Sequence, residues 1–333
     1  MERTMRLRPG PNNLITDVAG LTVGHATDEA AQTGVTTLLC DGAWTAAVDI
    51  RGGGPGVRET ETLAPENVVP GIHAIVLSGG SVFGLGAADG VAARLSAGGV
   101  GMRLRPGGHA IPIVPGAVLH DLNNPGDKDW GETPPYRALG LASIDAAGEG
   151  FALGSVGAGR GAMAGYRKGG IGSASIDLGG GLIVGALVAV NPVGSVYMPD
   201  GETFWAWPFE LNGEFGGARP SGDGGIVDPA PDISRLEALG RLSPGANTTL
   251  AVIAVNADLD KAEAKRVAMM AHDGMARAIR PAHTPFDGDL VFAIASGAVA
   301  LDPGVGRQAQ VARIGSAAAD CLARAIARGV FHA

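Results

Sequence analysis

A Pro- and Gly-rich loop breaks off at Asn247-Thr248-Thr249 and runs straight into the apolar segment 250–255, Leu-Ala-Val-Ile-Ala-Val. Hydroxyls at a loop-to-strand junction are common, and a solvated strand start is one explanation. The chemical alternative is autoproteolysis. Attack of the Thr248 hydroxyl on the Asn247 carbonyl forms an ester, and its hydrolysis frees Thr248 as a new N-terminus. A hydroxyl is a poor nucleophile at neutral pH and needs an adjacent base. A free α-amine titrates near about 7.7–8.0, so an N-terminal threonine carries its own base. Downstream, His283-Thr284-Pro285-Phe286-Asp287-Gly288-Asp289 precedes a second apolar run at 290–295. Asp287 and Asp289 are two apart and point the same way if the strand begins at 287. Such a pair could hydrogen-bond the Thr248 hydroxyl and amine and set their protonation. An Asp-Gly-Asp turn facing water is the alternative.

Other signals carry less. Gly157-Ala158-Gly159-Arg160-Gly161-Ala162 satisfies G-x-G-x-x-A, with Asp177 at the distance a dinucleotide fingerprint wants. Gly165, Gly169 and Gly170 leave no room for the helix that must receive the pyrophosphate, so no nucleotide is expected. Gly79-Gly80-Ser81-Val82-Phe83 has the serine of a nucleophile elbow but Phe83 where the motif needs glycine. A tight strand-to-helix turn lining the site is expected there. The histidines show no metal-ligand spacing, and no metal or cofactor is expected. Asn247-Thr248-Thr249 also fits a glycosylation sequon, which matters only in a secreted chain. Phe204, Trp205, Trp207 and Phe209 cluster in a Pro-rich connection, either against a substrate pocket or, the preferred expectation, at a subunit interface.

The elements that would carry these residues follow from periodicity. Short strands are expected at 21–24, 35–40, 46–50 and 73–77, and buried strands at 151–160, 182–190, 250–255 and 290–295. Leu85, Ala88, Val91, Ala92 and Leu95 share one face of a helix. Asp260-Lys261-Ala262-Glu263 is a capping box that opens a helix to about 279, with Val267, Met270, Ala271, Gly274 and Ala278 on one face. A last helix is expected over 308–327. Between 199 and 247 the Pro, Gly and Asp content marks a long irregular connection. The whole reads as β-rich layers with helices outside.

Composition narrows the partners. The chain has 333 residues, 46% of them hydrophobic, and 55 glycines spread among apolar runs, which implies tight turns and closely packed layers. Length alone suggests about two domains. With only two cysteines, neither a disulfide scaffold nor a Cys-rich zinc site is expected. A net charge of −8 without a basic cluster argues against nucleic acid. The first residues, Met1-Glu2-Arg3-Thr4-Met5-Arg6, precede Pro-Gly-Pro rather than an apolar h-region, and the longest apolar runs are too short to span a bilayer. No membrane association and a cytoplasmic location are therefore expected.

Together, Asn247-Thr248-Thr249 before a strand, the run 272–281 (His-Asp-Gly-Met-Ala-Arg-Ala-Ile-Arg-Pro) and His283-Thr284-Pro285-Phe286-Asp287-Gly288-Asp289 resemble the DmpA-type family. That family holds L-aminopeptidase/D-esterases, β-aminopeptidases and nylon-oligomer hydrolases. The resemblance runs through residues 48–56, 77–85 and 168–172 and spans about 15–329. It implies one self-processing domain over 1–333, a four-layer αββα sandwich like that of the N-terminal nucleophile hydrolases with its own topology. It further implies cleavage between Asn247 and Thr248 into an α chain, 1–247, and a β chain, 248–333, that stay associated in a homo-oligomer such as a tetramer. Thr248 matches the family nucleophile, Asp287 and Asp289 the acidic pair of the nylon-oligomer hydrolases, and Asn191 an asparagine that stabilises the oxyanion. Lys168 is the nearest match to a family lysine, with Tyr166 able to take that place. His120, in Ala117-Val118-Leu119-His120-Asp121, stands where the nylon-oligomer hydrolases have tyrosine, and with Ser81 is expected to meet substrate. The expected activity is hydrolysis of a small amide or peptide. The alternatives are acyl transfer of the ornithine acetyltransferase type and an unprocessed scaffold.

Overall fold

A computed structural model describes residues 7–221, 228, 234–235 and 247–333. The expected features at Met1–Arg6, and the loop Pro244-Gly245-Ala246 ahead of Asn247, lie outside these residues.

Eleven strands and four helices follow in chain order among the described residues. They are β1 (Leu21–Asp28), β2 (Thr33–Ile50), β3 (Gly56–Arg58), β4 (Ile72–Ser78), α1 (Gly86–Ala97), β5 (Gly116–Val118) and α2 (Tyr136–Asp145). Then come the hairpin β6 (Met163–Ala164) and β7 (Arg167–Lys168), β8 (Gly170–Asp177), β9 (Ile183–Asn191), β10 (Thr248–Ala257), α3 (Lys261–Ala278), β11 (Leu290–Val299) and α4 (Arg307–Phe331). Apart from the small hairpin, the strands connect in the order β3-β5-β4-β2-β11-β10-β9-β8, with β1 beside β2.

The hinge of this arrangement is β2. Its first half pairs with β1 and β4, a register shift falls between Leu39 and Trp44, and its second half pairs with β11. One long strand thus serves two leaves that fold face to face. Strict alternation fills the space on either side. Leu250, Val252 and Ala254 of β10 and Phe292 and Ile294 of β11 meet Leu38 and Leu77 between the leaves. Ala251, Ile253, Val255, Val291 and Ala293 face outward, onto α3 and α4. On the other side Val35, Ala74 and Val76 pack under α1 and Tyr136 of α2. The result is the expected αββα sandwich.

Local chemistry explains where expectation held and where it failed. The capping box is formed: Asp260 accepts from the Glu263 amide at 2.8 Å, and Glu263 accepts from the Asp260 amide at 3.0 Å. The expected strands 35–40 and 46–50 are one continuous strand, bent at its register shift. Residues 151–160 are not a strand. Gly154 and Gly157 adopt φ of +87° and +50°, and after a single bridge from Gly154 to Ile171 the chain makes a 3-10 turn. The strand is instead β8, whose Gly and Ser residues gave no β signal. A Cβ on Gly172 would lie 1.9 Å from the Ala325 carbonyl, so these small residues let α4 lie directly on the sheet. The aromatic expectation needs correction at Phe204. Phe204 is buried within this chain, stacked near Tyr197 at 4.3 Å and edge-on to Phe215. Trp205, Trp207 and Phe209 lie under the guanidinium groups of Arg280, Arg219 and Arg277. No helix among the described residues is long and apolar enough to cross a membrane.

One ion pair ties the outer helix to the irregular segments. Arg324, 1% exposed on α4, forks onto Glu214 at 2.6 and 2.9 Å and also reaches the Ser175 carbonyl and the Asn13 side chain. Removing Arg324 takes the fork from a buried carboxylate and leaves it Arg328 at 3.6 Å and the Asn13 amide at 2.6 Å, at a cost of about 3 kcal/mol, the low end for a broken buried pair. Arg324→Ala is therefore expected to lower unfolding stability by about that amount in urea titration, and a change below about 1 kcal/mol would contradict this role.

Candidate active site

Three strand ends converge at Thr248. β10 runs antiparallel to β9, which sets Thr248 opposite Asn191, and parallel to β11 on its other side. Just ahead of the ladder, Asn247 bridges to Asp287, and the Gly288 amide donates to the Asn247 carbonyl at 2.9 Å. Thr248 is 2% exposed, and its hydroxyl donates to that same carbonyl oxygen. Only glycine fits at 288, since a Cβ there would lie 2.7 Å from Thr248 Oγ1 and 2.8 Å from the Gly54 carbonyl.

Asp287 and Asp289 are both fully buried, which rules out a turn facing water. They precede β11 rather than opening it, and each carboxylate is held by peptide N–H groups instead of by the Thr248 hydroxyl. Asp287 accepts from the Val193 amide at 3.0 Å, the Thr284 amide at 3.1 Å and the Thr284 hydroxyl at 2.5 Å. Asp289 accepts from the Thr249 amide at 2.7 Å, and its other oxygen from the His283 amide at 2.9 Å. Burial, with the neighbouring Asp289 charge second, pushes Asp287 up to about 6. The Gly52-Gly53-Gly54 turn closes over both: the Gly54 amide meets the Asp287 carbonyl at 2.8 Å and the Gly52 amide meets the Asp289 carbonyl at 3.0 Å.

Asn191 stands across the ladder with its amide committed at both ends. Its oxygen accepts from the Met163 amide at 2.9 Å, and its nitrogen donates to the His120 carbonyl at 3.3 Å. A cavity of about 390 Å³ opens beside Thr248, walled by Gly54, Ser81, Val82, Val118, Leu119 and His120 among others. Ser81 and His120 thus share one space with Thr248. Ser81 lies in the expected tight turn, at φ +52°, with its amide on the Leu119 carbonyl at 2.9 Å. Lys168 is exposed on β7, and Tyr166, 59% exposed, lies at the tip of the same hairpin. Neither is a wall residue of that cavity.

Arg235 was not foreseen. It donates to the Met163 carbonyl at 3.1 Å and the Pro192 carbonyl at 2.9 Å; burial lowers it to about 10, while the Asp287 charge opposes that. No motif surrounds it in its Pro-rich stretch. Thr284 and His283 were seen only as parts of a run, and their contacts depend on a turn that spacing does not reveal. Among the described residues, no group of three or more His, Cys, Asp or Glu could hold a metal ion.

The αββα sandwich thus sets a buried threonine at the head of a central strand, beside a backbone carbonyl held by the Gly288 amide. The chain belongs to peptidase family S58, whose model matches residues 13–333, and it is a hydrolytic enzyme of aminopeptidase/amidase type. An uncharacterized aminopeptidase of Mycobacterium bovis is 44% identical, over 96% of this chain and 94% of its own length. A 6-aminohexanoate-oligomer endohydrolase of a Kocuria species is 30% identical, over 88% of this chain and 77% of that protein. Among solved structures, a Burkholderia β-aminopeptidase superposes with a TM-score of 0.69 at 25% identity, covering 98% of this chain and 88% of that one. The L-aminopeptidase D-Ala-esterase/amidase of Ochrobactrum anthropi superposes with a TM-score of 0.68 at 21% identity, covering 99% and 88%. It is described as a new variant among the Ntn hydrolase fold, and the likeness to it is one of fold.

The raised Asp287 pKa has a consequence for stability. Between its ordinary 3.8 and about 6 the folded chain keeps a proton that the unfolded chain has released. Stability from this group is therefore full below about pH 4, falls as pH rises towards 6, and is level above. Wild type is expected to lose stability relative to Asp287→Asn across that window, with a linkage slope approaching about one proton. Identical pH profiles in urea titrations would contradict the shift.

Proposed function

We propose that the protein is a self-processing amide hydrolase whose nucleophile is Thr248, freed as an N-terminus by cleavage after Asn247. The observation that carries this is the contact of the Thr248 hydroxyl with the carbonyl it would attack, a carbonyl already polarised by the Gly288 amide. Attack of Oγ1 on the Asn247 carbonyl carbon forms a C–O bond and breaks the C–N bond. The hydroxyl proton passes to the released Thr248 nitrogen. The Gly288 N–H meets the oxygen on which negative charge develops. Water then hydrolyses the ester, leaving an Asn247 carboxylate and a free Thr248 amine.

In turnover that amine takes the Oγ1 proton as the hydroxyl attacks a substrate carbonyl, and passes it to the departing amine. Water releases the acyl group. Asn191 lies across the ladder with the second N–H of its amide to offer beside the one given to the His120 carbonyl, and a donor of that kind is worth about 3–4 kcal/mol of barrier. Asp287 and Asp289 hold the strand start and the facing turn in register. The names of the relatives support small peptides or ω-amino-acid oligomers as the substrate class. Residues 1–247 and 248–333 stay together on this account, because β10 remains hydrogen-bonded to β9 and β11 to β2 across the cut. A cytoplasmic homo-oligomer is the state we assign to the processed protein.

Denaturing intact-mass spectrometry is the test. Wild type and Thr248→Ser are expected to yield two fragments, the smaller beginning at residue 248, and Thr248→Ala a single uncut chain. Thr248→Ala should also lose amide hydrolysis by roughly a thousandfold or more. Hydrolysis that survives in the uncut Thr248→Ala protein would overturn the proposal. Asn191→Ala in processed enzyme is expected to lower kcat by about 100- to 1,000-fold with a smaller change in KM.

A further inference from the structure

Behind the acidic pair lies a layer of titratable groups, buried at His272 and opening to solvent at Arg51 and Lys265, that the steps above leave unused. His283 Nδ1 is 2.9 Å from Asp289 Oδ2, the same oxygen that accepts the His283 backbone N–H. The other carboxylate oxygen takes the Thr249 amide at 2.7 Å. A carboxylate that accepts peptide N–H groups at both oxygens is an acceptor to its neighbours, so Nδ1 carries the proton in this contact. His283 Nε2 is buried with no hydrogen-bond partner among the described residues. The ring instead meets His272 edge to face, with centroids 4.8 Å apart. His272 Nε2 in turn lies 3.0 Å from the Asp49 carbonyl, and burial holds this ring down to about 4, so it is neutral. The Asp49 carboxylate behind it pairs with Arg51 and Lys265, each at 2.9 Å. His283 also takes φ +56°, a left-handed conformation unusual for a side chain of its size.

We propose that His283 is a positioning residue for the nucleophile: its Nδ1–H fixes Asp289, whose other oxygen holds the Thr249 amide and so aims the Thr248 hydroxyl. This rests on the assignment of Thr248 above and adds a residue to it. The neutral His272 ring packs against His283 and leaves Nδ1 as its hydrogen-bonding edge.

Two substitutions separate the side chain's donor from the backbone's conformation. Asparagine can place an N–H near the position of Nδ1 and tolerates φ near +60°; glycine tolerates that φ and has no donor. The appearance of fragment 248–333 is followed by mass in wild type, His283→Asn and His283→Gly, with thermal unfolding confirming that each is folded. His283→Gly is expected to process at least tenfold more slowly than His283→Asn. Equal rates would overturn the proposal and leave only a backbone role. A second measurement does not need cleavage: the ring 15N shifts of His283 in uncut Thr248→Ala protein. The Nδ1–H tautomer supports the clamp, and the Nε2–H tautomer overturns it. A wild-type chain that never cuts would refute Thr248 as the self-cleaving nucleophile and leave the tautomer to decide for His283.

Discussion

Two carboxylates without access to water fix this structure at its centre. An ionised group costs several kcal/mol to bury unless hydrogen bonds replace its hydration. Here the replacements come from peptide N–H groups on separate segments: Val193 beyond β9, Thr249 in β10, and His283 and Thr284 ahead of β11. Satisfying Asp287 and Asp289 therefore requires all of these chain segments to be in register at once. Thr248 and the Asn247 carbonyl sit inside that agreement. Their approach is a consequence of the clamp as much as of their own bonding.

The sandwich makes such a clamp possible. β2 runs through both leaves and ends beside β11, so the glycine turn that follows it can close over the 287–289 backbone. A Cβ on Gly52 would stand 2.2 Å from the Asp289 nitrogen. The glycine content is therefore tied to the geometry of the candidate site at this point, as it is to packing where α4 lies on β8. On the far side, Arg324 and Glu214 anchor an irregular segment to α4, away from the chemistry.

Much of this was legible in the residues. Continuous apolar runs revealed β9, β10 and β11, the capping box marked the start of α3, and Asn-Thr-Thr ahead of an apolar run singled out Thr248 as the candidate nucleophile. The two aspartates were legible as a pair but not in their partners. Spacing says which way side chains point along a strand, whereas these lie between a turn and β11 and bond to amides of the preceding turn as well as of Val193 and Thr249. β8 was hidden because close contact with a helix selects Gly and Ser, which carry no strand signal. The apolar run at 151–160 misled for the opposite reason: hydrophobic residues flank glycines at positive φ. Arg235 and the tautomer of His283 depend on three-dimensional contacts alone.

The central claim is that Thr248 Oγ1 forms the bond to the acyl group. The most direct measurement is to acidify the processed enzyme during turnover of a slow ester and locate the acyl adduct by peptide mass mapping. The account predicts the added mass on Thr248, at the first residue of the smaller chain. An adduct on Ser81, or on any residue of 1–247, would contradict it.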